Sequence, residues 1–184
     1  DYSLTTRVTD AAGNTGAASS AYNFTIDTTA PGAVVDLTAR DDNNVPITGV
    51  TNDATPVLSG SAEAGSLVTL YDGTAAIGSV RADADGAWRF SDTVLTDGAH
   101  TLRATATDAA GNVSVTGNSV TLTVDTSVPA APAFSVTSGE GVPVASNGYT
   151  SDSRPQLSGT AAAGSLITIY NDGTAIGSVV AGGD

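Results

Sequence analysis

A long internal repeat constrains the fold of this 184-residue chain more than any other feature. The frame Asp-Thr-x-x-Pro occurs at residues 27–31 and again at residues 125–129. The frame Thr-Asp-Ala-Ala-Gly-Asn occurs at residues 9–14 and again at residues 107–112, so both pairs of frames are 98 residues apart. A fixed long period is the mark of a tandem array, and the chain is therefore interpreted as a string of similar modules.

A third block of matching sequence sets the domain boundaries. Residues 55–71 match residues 154–170, which lie 99 positions further along the chain. One complete unit is therefore predicted over residues 28–125, long enough to build a single small core. Residues 1–27 are predicted to be the last part of a preceding unit, and residues 126–184 the first part of a following unit.

The complete unit has the pattern of an all-β domain. Val120, Leu122 and Val124 alternate with threonines, and a period of two indicates a half-buried strand. Dipeptides such as Asp-Gly and Gly-Asn separate the strand-like segments. Seven strands are predicted, at Ala33–Ala39, Pro56–Ala62, Ser66–Asp72, Ala75–Ala82, Ala87–Asp92, Ala99–Asp108 and Ser119–Asp125. Seven short strands in about 98 residues favour tandem immunoglobulin-like β-sandwiches, one complete and two partial.

Composition excludes several classes of function. The chain has no Cys, which rules out disulfides and thiolate metal sites. Its net charge of −13 argues against a nucleic-acid partner, because binding to phosphates needs a basic surface. No apolar run approaches the length of a transmembrane helix, so no membrane insertion is expected in this segment.

The acidic residues are almost all aspartates, with seventeen Asp and two Glu. Asp is a common turn residue, and its short carboxylate is also a suitable ligand for Ca²⁺. Either explanation accounts for a single Asp. Recurrence of Asp at fixed places near the junctions between units favours calcium.

Strand direction leaves the composition of such a calcium site open. Asp10 opens the turn that leads into the last hairpin of the first unit, whereas Asp27 ends its last strand. Simple strand reversal places these two residues at opposite poles of that unit. Asp41 and Asp42 follow the first strand of the complete unit, and they either meet the junction beside Asp27 or cap the opposite pole. Ca²⁺ needs six to eight oxygens, so several loops would have to contribute.

Four sequence frames resemble bacterial immunoglobulin-like repeats. They are Thr-Asp-Ala-Ala-Gly-Asn (residues 9–14), Asp-Thr-Thr-Ala-Pro (27–31), Thr-Pro-Val-Leu-Ser-Gly-Ser-Ala-Glu-Ala-Gly-Ser (55–66) and Ala-Asp-Gly-Ala-Trp-Arg-Phe (84–90). Such repeats build giant type I-secreted adhesins and biofilm-associated surface proteins, and the resemblance covers essentially the whole chain. It implies an extracellular stalk on the bacterial cell surface, with Ca²⁺ at or near the junctions between modules.

Carried over residue by residue, the resemblance implies metal ligands at both junctions. It favours Asp10, Asp27, Asp41 and Asp42 at the first junction, and Asp108 and Asp125 at the second. For Asp10 and Asp27 this conflicts with the strand-reversal argument. In the third unit Ser138-Gly139-Glu140-Gly141 replaces the Asp-Asp-Asn-Asn run, so the second junction is expected to bind Ca²⁺ more weakly or at fewer sites.

The remaining candidate residues favour structural roles. His100 corresponds to Tyr2 in the first unit and has no nucleophile partner in any motif, so packing at a strand start is expected. The Asp-Ala-Asp-Gly run at residues 83–86 lacks the later ligands of an EF-hand and predicts a tight turn. Trp88 is expected in the core, with sugar stacking as the alternative. Glu63 corresponds to Ala162 and has no second carboxylate for acid catalysis.

These observations predict a non-enzymatic, structural function. The chain is expected to be a stalk or spacer segment of a large bacterial surface or secreted adhesin, stiffened by calcium and supporting cell adhesion or biofilm formation. Its partners would be the neighbouring repeats of the same chain, with host-cell or biofilm-matrix ligands bound through other domains. The alternative is a carbohydrate- or receptor-binding module of an adhesin or an extracellular enzyme.

Overall fold

Fifteen short strands make up the regular structure of residues 1–183, which are the residues that the computed structural model describes. No helix occurs among these residues, so the predicted all-β class is confirmed. Among them there is accordingly no helix long and apolar enough to cross a membrane. The chain divides into two compact units, Asp1–Thr126 and a second unit that begins at Ser127.

Eight strands form the complete domain within the compact unit Asp1–Thr126. They are β3 (Val35–Arg40), β4 (Gly49–Thr51), β5 (Val57–Ser61), β6 (Leu67–Asp72), β7 (Ala75–Arg81), β8 (Ala87–Phe90), β9 (Gly98–Thr107) and β10 (Val120–Val124). One sheet has the order β3-β5-β8, and the other has the order β4-β10-β9-β6-β7. The two sheets enclose one core, as in a β-sandwich.

Period-two alternation builds the core from both sheets. In β9, Leu102, Ala104 and Ala106 are at most 1% exposed, while Arg103 and Thr105 between them are half-buried. Leu58 in the opposite sheet and Leu70 in β6 are fully buried. Each such leucine contributes about 1.5–3 kcal/mol by leaving water, so these alternating positions fix which face of each strand points inward.

One strand was not among the seven predicted. β4 pairs in parallel with β10, Gly49 lying opposite Leu122 and Thr51 opposite Val124. Its three residues have no alternating pattern of their own, and Pro46 and Asn52 beside them are typical of a loop. The strand forms because the distant β10 offers an open edge, which is information that the local sequence does not contain.

The strands of the complete domain end at two opposite poles, an entry pole where β3 begins and an exit pole where β10 ends. The entry pole holds Val35, Ser61 and Thr107, and the exit pole holds Arg40, Asp72 and Val124. The turns at residues 62–66, 82–86 and 108–112 therefore lie at the entry pole. The turn at residues 41–45 lies at the exit pole.

Residues 1–27 form a small hairpin with no core of its own. Its strands β1 (Tyr2–Leu4) and β2 (Tyr22–Phe24) are antiparallel, with Tyr2 opposite Phe24. The rings of these two residues stack with centroids 5.1 Å apart. The strands have the same places in the repeat as parts of β9 and β10.

The compact unit that begins at Ser127 repeats the first half of the complete domain. A sheet has the order β12 (Pro143–Val144), β11 (Ala133–Thr137), β13 (Gln156–Thr160), and a hairpin joins β14 (Leu166–Asn171) to β15 (Thr174–Val180). The β14–β15 register shifts between Ile169 and Tyr170, at the place where the β6–β7 register shifts between Leu70 and Tyr71. The repeat therefore extends to local irregularities of the sheets.

Gly78 leaves room for an aromatic ring of the core. A Cβ at this position would collide with the ring of Phe90 on the opposite sheet. We expect Gly78→Ala to lower the free energy of unfolding by about 1–3 kcal/mol, because the ring must shift. Chemical denaturation monitored by Trp88 fluorescence measures the effect.

The chain supplies a matched control at Gly177, which has the same place in β15. A Cβ there meets no atom within 4 Å, so Gly177→Ala should leave the free energy of unfolding of the complete domain unchanged. Equal destabilisation of the complete domain by both substitutions would contradict a specific contact between Gly78 and Phe90.

Candidate functional site

Three of the six aspartates with predicted metal roles, Asp10, Asp41 and Asp108, are the first residues of one recurring turn. Asp108 Oδ1 accepts hydrogen bonds from the N–H groups of Ala110 and Asn112, both at 2.9 Å. Asp10 Oδ1 accepts the same two bonds from Ala12 and Asn14, at 3.0 and 2.8 Å. A short carboxylate that caps its own turn in this way explains why Asp is preferred over Glu.

Asp41 opens the same kind of turn at the exit pole. Its Oδ1 accepts the N–H groups of Asn43 and Val45 at 3.0 and 2.7 Å. The fourth residue of the turn, Asn44, has a φ of 64°, and Gly111 has a φ of 94° at the equivalent position. Gly adopts such values without strain, and Asn does so at some cost, so the Asp and the fourth residue together determine the turn.

Asp83 is a further example of this turn. Its Oδ1 accepts the N–H groups of Asp85 and Ala87 at 3.0 and 2.8 Å. The run at residues 83–86 is therefore a turn in this structure, as its sequence predicts. Trp88, which follows this turn, is 4% exposed and lies in the core.

An Asn at the fifth position adds a second cap to two of the turns. Asn112 Nδ2 donates to Asp108 Oδ2 at 2.8 Å, and Asn14 Nδ2 donates to Asp10 Oδ2 at the same distance. This side-chain bond is the main cause that lowers the pKa of both aspartates below the ordinary value, and the backbone donors of the turn add to it. Both carboxylates are therefore stabilised in the charged form without a cation.

The turn at residues 108–112 also reaches the preceding unit. Asn112 Nδ2 donates to the backbone carbonyl oxygen of Asp27 at 3.1 Å. Asp27 Oδ1 accepts the N–H of Thr29 at 2.9 Å, which fixes the start of the Asp-Thr-x-x-Pro frame. One asparagine thus connects the carboxylate of Asp108 to the main chain at the first junction.

At the exit pole a different aspartate holds the outgoing chain. Asp97 Oδ1 accepts the N–H of Thr126 at 3.0 Å and its hydroxyl at 2.7 Å. The N–H of Asp125 donates to the carbonyl of Thr51 at 2.9 Å. Sequence reasoning missed Asp97, because its separation of 29 residues from Thr126 gives no local signal.

The structure separates the residues that the resemblance groups at the first junction. Asp10 lies beyond the Thr9–Thr15 bridge, at the end of the first hairpin that is remote from Phe24 and Asp27. Asp41 and Asp42 lie at the exit pole, so neither is near Asp27. Asp108, expected at the second junction, lies instead at the first, because antiparallel β9 returns to the entry pole.

The residues present do not fit a calcium site in this arrangement. Among residues 1–183 no three Asp, Glu, His or Cys side chains are placed to hold a metal ion. Asp10, Asp41 and Asp108 already accept N–H donors from their own turns, whereas Ca²⁺ requires six to eight converging oxygens. Calcium binding by these residues, and by Asp27, Asp42 and Asp125, remains a prediction from the resemblance.

The compact unit that begins at Ser127 keeps the turn but has Ser138 in place of the aspartate. Gly141 N–H donates to the Ser138 carbonyl at 2.8 Å, as in the Asp turns, and Gly141 has a φ of 80°. Ser138 Oγ accepts one N–H, from Val142 at 3.3 Å. A hydroxyl that can cap the turn substitutes here for the carboxylate, so the turn chemistry alone explains this difference between the units.

His100 is a buried residue at the start of β9. Its Nδ1 lies 2.7 Å from Asp72 Oδ2, and its Nε2 lies 2.7 Å from the carbonyl oxygen of Thr96. Because both partners are acceptors, the doubly protonated ring satisfies both contacts. The hydrogen bond to Asp72 is the main cause that raises the pKa of His100 above its ordinary value.

The stability of the complete domain should therefore fall as pH rises through neutrality. A raised folded-state pKa gives stability that is full below the unfolded value of about 6.5 and lost above the folded value. Urea unfolding between pH 5 and pH 9 measures this slope, in a range where the aspartates stay ionised.

The partial units offer the control for this pH dependence. The counterparts of His100 and Asp72 are Tyr2 and Asn171, which are both neutral. The double variant His100→Tyr/Asp72→Asn should have a flat profile over the same range. An equal slope in this variant would assign the pH dependence to other groups.

Comparison with known proteins agrees with this architecture. A family profile described as a bacterial Ig-like domain matches residues 29–126, just over half of the chain. That family has a non-catalytic fold, and its members typically occur in extracellular or surface proteins. A search of curated proteins gave no match. With the profile covering the whole of the complete domain, the chain belongs to the family of bacterial Ig-like domains.

Proposed function

We propose that this chain is a spacer segment of a large bacterial surface or secreted adhesin that supports cell adhesion or biofilm formation. The observation that carries the proposal is the hydrogen bond from Asn112 to the Asp27 carbonyl, which links one unit to the next. The bond uses residues of the two frames that recur every 98 residues. A repeated contact at each junction is what a semi-rigid array requires.

Proline stiffens the same junctions. Pro31 and Pro129 end the two Asp-Thr-x-x-Pro frames, and each fixes its own φ. The Asp27 carboxylate accepts the N–H of Thr29, and the Asp27 carbonyl accepts Asn112 Nδ2. Direct hydrogen bonds therefore hold the first junction. Stiffening by Ca²⁺ would be an addition to these contacts and is not needed to form them.

The alternative function, a carbohydrate- or receptor-binding module, gains no support from Trp88. Trp88, its candidate stacking platform, packs in the core. A spacer and a binding module differ in one consequence. Deletion of residues 28–125 from the parent protein removes one whole period; a spacer predicts unchanged ligand specificity and shorter reach, whereas a binding module predicts loss of binding.

Asn112→Ala should loosen the first junction. The substitution removes the donor to Asp27, while the N–H of residue 112 still caps Asp108. We expect lower NMR order parameters for the backbone of Thr28 and Thr29, from near the rigid value of about 0.85 towards the flexible range below about 0.6. Relaxation in EDTA and in CaCl₂ measures stiffening by the contact and by calcium separately.

Asn14→Ala is the matched control. Asn14 caps the equivalent turn through Asp10, and it lies at the end of the first hairpin remote from Thr28. This variant should leave the order parameters of Thr28 and Thr29 unchanged. Order parameters below about 0.6 at the junction in the unmodified chain, in both buffers, would contradict a stiff spacer and indicate a flexible tether.

A further inference from the structure

A buried histidine contacts the loop that holds the chain leaving the complete domain. His100 is 8% exposed, and its Nε2 lies 2.7 Å from the carbonyl oxygen of Thr96. The next residue, Asp97, accepts the N–H and the hydroxyl of Thr126 at 3.0 and 2.7 Å. Histidine is the side chain whose charge changes near neutral pH. A short series of contacts therefore connects a titrating ring to the outgoing chain at Thr126.

The loop between these contacts is anchored on both sides. Leu95 is 5% exposed, and its N–H donates to the Ala54 carbonyl oxygen at 2.8 Å. Gly98 begins β9 and is paired with β10. Thr96 and Asp97 between them are exposed and belong to no strand. The contact with the imidazole fixes Thr96 within this exposed stretch, and with it the position of the Asp97 carboxylate.

The charge state of the ring decides whether the contact with Thr96 is attractive. The other ring nitrogen, Nδ1, lies 2.7 Å from Asp72 Oδ2, so both partners of the ring are acceptors. The charged ring donates to both. In the neutral ring the one proton stays on Nδ1, because an ionised carboxylate is a stronger acceptor than a carbonyl. Nε2 then directs a lone pair at the Thr96 oxygen, and this contact opens.

The residues packed against His100 leave Asp72 as the charged group that acts on the ring. Asp72 lies at the end of β6, and the residue opposite His100 on β10 is the apolar Leu122. The loop before β9 contributes a neutral carbonyl, that of Thr96. The hydrogen bond to Asp72 is the main cause that raises the pKa of His100, with smaller contributions from Thr96 and from the charge of Asp72, while burial opposes them.

Other charged residues in this part of the domain have partners elsewhere. They are Asp97, bonded to Thr126, Arg103, over the ring of Tyr71, Asp53, bonded to Thr55, and Arg40, bonded to the Asn44 carbonyl. Arg103 also alternates with the inward-facing residues of β9, so its side chain starts on the opposite face of the sheet from His100. The ionisation of His100 is therefore coupled to Asp72 and to the Thr96 carbonyl.

We propose that His100 makes the attachment of the outgoing chain dependent on pH. With the ring charged, Thr96 is fixed and Asp97 holds Thr126. With the ring neutral, Thr96 moves away from Nε2, Asp97 moves with it, and Thr126 is released. The exit junction is thus stiff below neutral pH and loosens as pH rises. As regulation of a spacer this rests on the proposed function, but the contact itself does not depend on it.

The first junction is an internal reference within the same chain. Thr28 has the repeat position of Thr126, and Tyr2 has that of His100. A phenol titrates near pH 10 and so keeps its proton across the range in which an imidazole loses its own. The pH response should therefore be confined to Thr126.

Backbone ¹⁵N relaxation of the complete chain at pH 5 and pH 9, in EDTA, tests the proposal. His100 is the only histidine, so its ring signals report the titration directly. We expect the order parameter of the Thr126 amide to fall from about 0.85 at pH 5 to below about 0.6 at pH 9. The midpoint should equal that of the ring, and the order parameter of Thr28 should not change. Order parameters are the readout because charging the ring shifts neighbouring signals even without motion.

Two variants separate the contacts of this series. Asp97→Ala removes the acceptor, so Thr126 should be mobile at both pH values while His100 still titrates. In His100→Tyr/Asp72→Asn the titrating ring is absent, and the order parameter of Thr126 should be the same at pH 5 and pH 9. A pH response of Thr126 that persists in this double variant would overturn the proposal.

Two results with the unmodified chain would also overturn it. One is an order parameter of Thr126 that stays constant while the ring of His100 titrates. The other is equal loosening of Thr28 and Thr126, which would assign the change to the whole domain. Low order parameters of Thr28 at both pH values would contradict the stiff spacer alone, so the failure of either proposal is recognised separately.

Discussion

The interaction on which this structure depends is a carboxylate that caps its own turn. In the turns that begin at Asp10, Asp41, Asp83 and Asp108, Oδ1 accepts two N–H groups of the next four residues. The turns at Asp41, Asp83 and Asp108 reverse the chain at an end of the sandwich, and the turn at Asp10 reverses it at the end of the first hairpin, so each sets where the following segment begins. A domain built of short strands depends on such turns, because the geometry of a turn sets the register of the strands that it joins.

The same device connects local folding to the assembly of units. Asn112 caps Asp108 and donates to the carbonyl of Asp27, so the turn of one unit becomes the contact of the junction. At the other pole Asp97 holds Thr126 in a comparable way. A chain rich in aspartate is thus explained by the turns and junctions of a tandem array, and its high negative charge follows from the same residues.

Sequence alone was sufficient for the all-β class and most strands, because period-two alternation and Asp-Gly or Gly-Asn turns are local signals. It was insufficient for β4, which forms only through pairing with the distant β10. Strand direction alone left the pole of Asp41 and Asp42 open. The resemblance grouped Asp41 and Asp42 with Asp27, whereas antiparallel strands bring Asp108 there, and Asp97 and the Asp72–His100 pair depend on contacts about 28 residues apart in the chain.

The most direct test of the account is an NMR titration of the Asp10 and Asp108 carboxyl groups in metal-free buffer. If turn donors stabilise these carboxylates, both pKa values lie below the ordinary value of 3.8 in EDTA, and CaCl₂ leaves them unchanged. If the aspartates instead belong to a carboxylate cluster that awaits a cation, mutual repulsion raises their pKa values in EDTA and calcium lowers them. The second result would contradict the account.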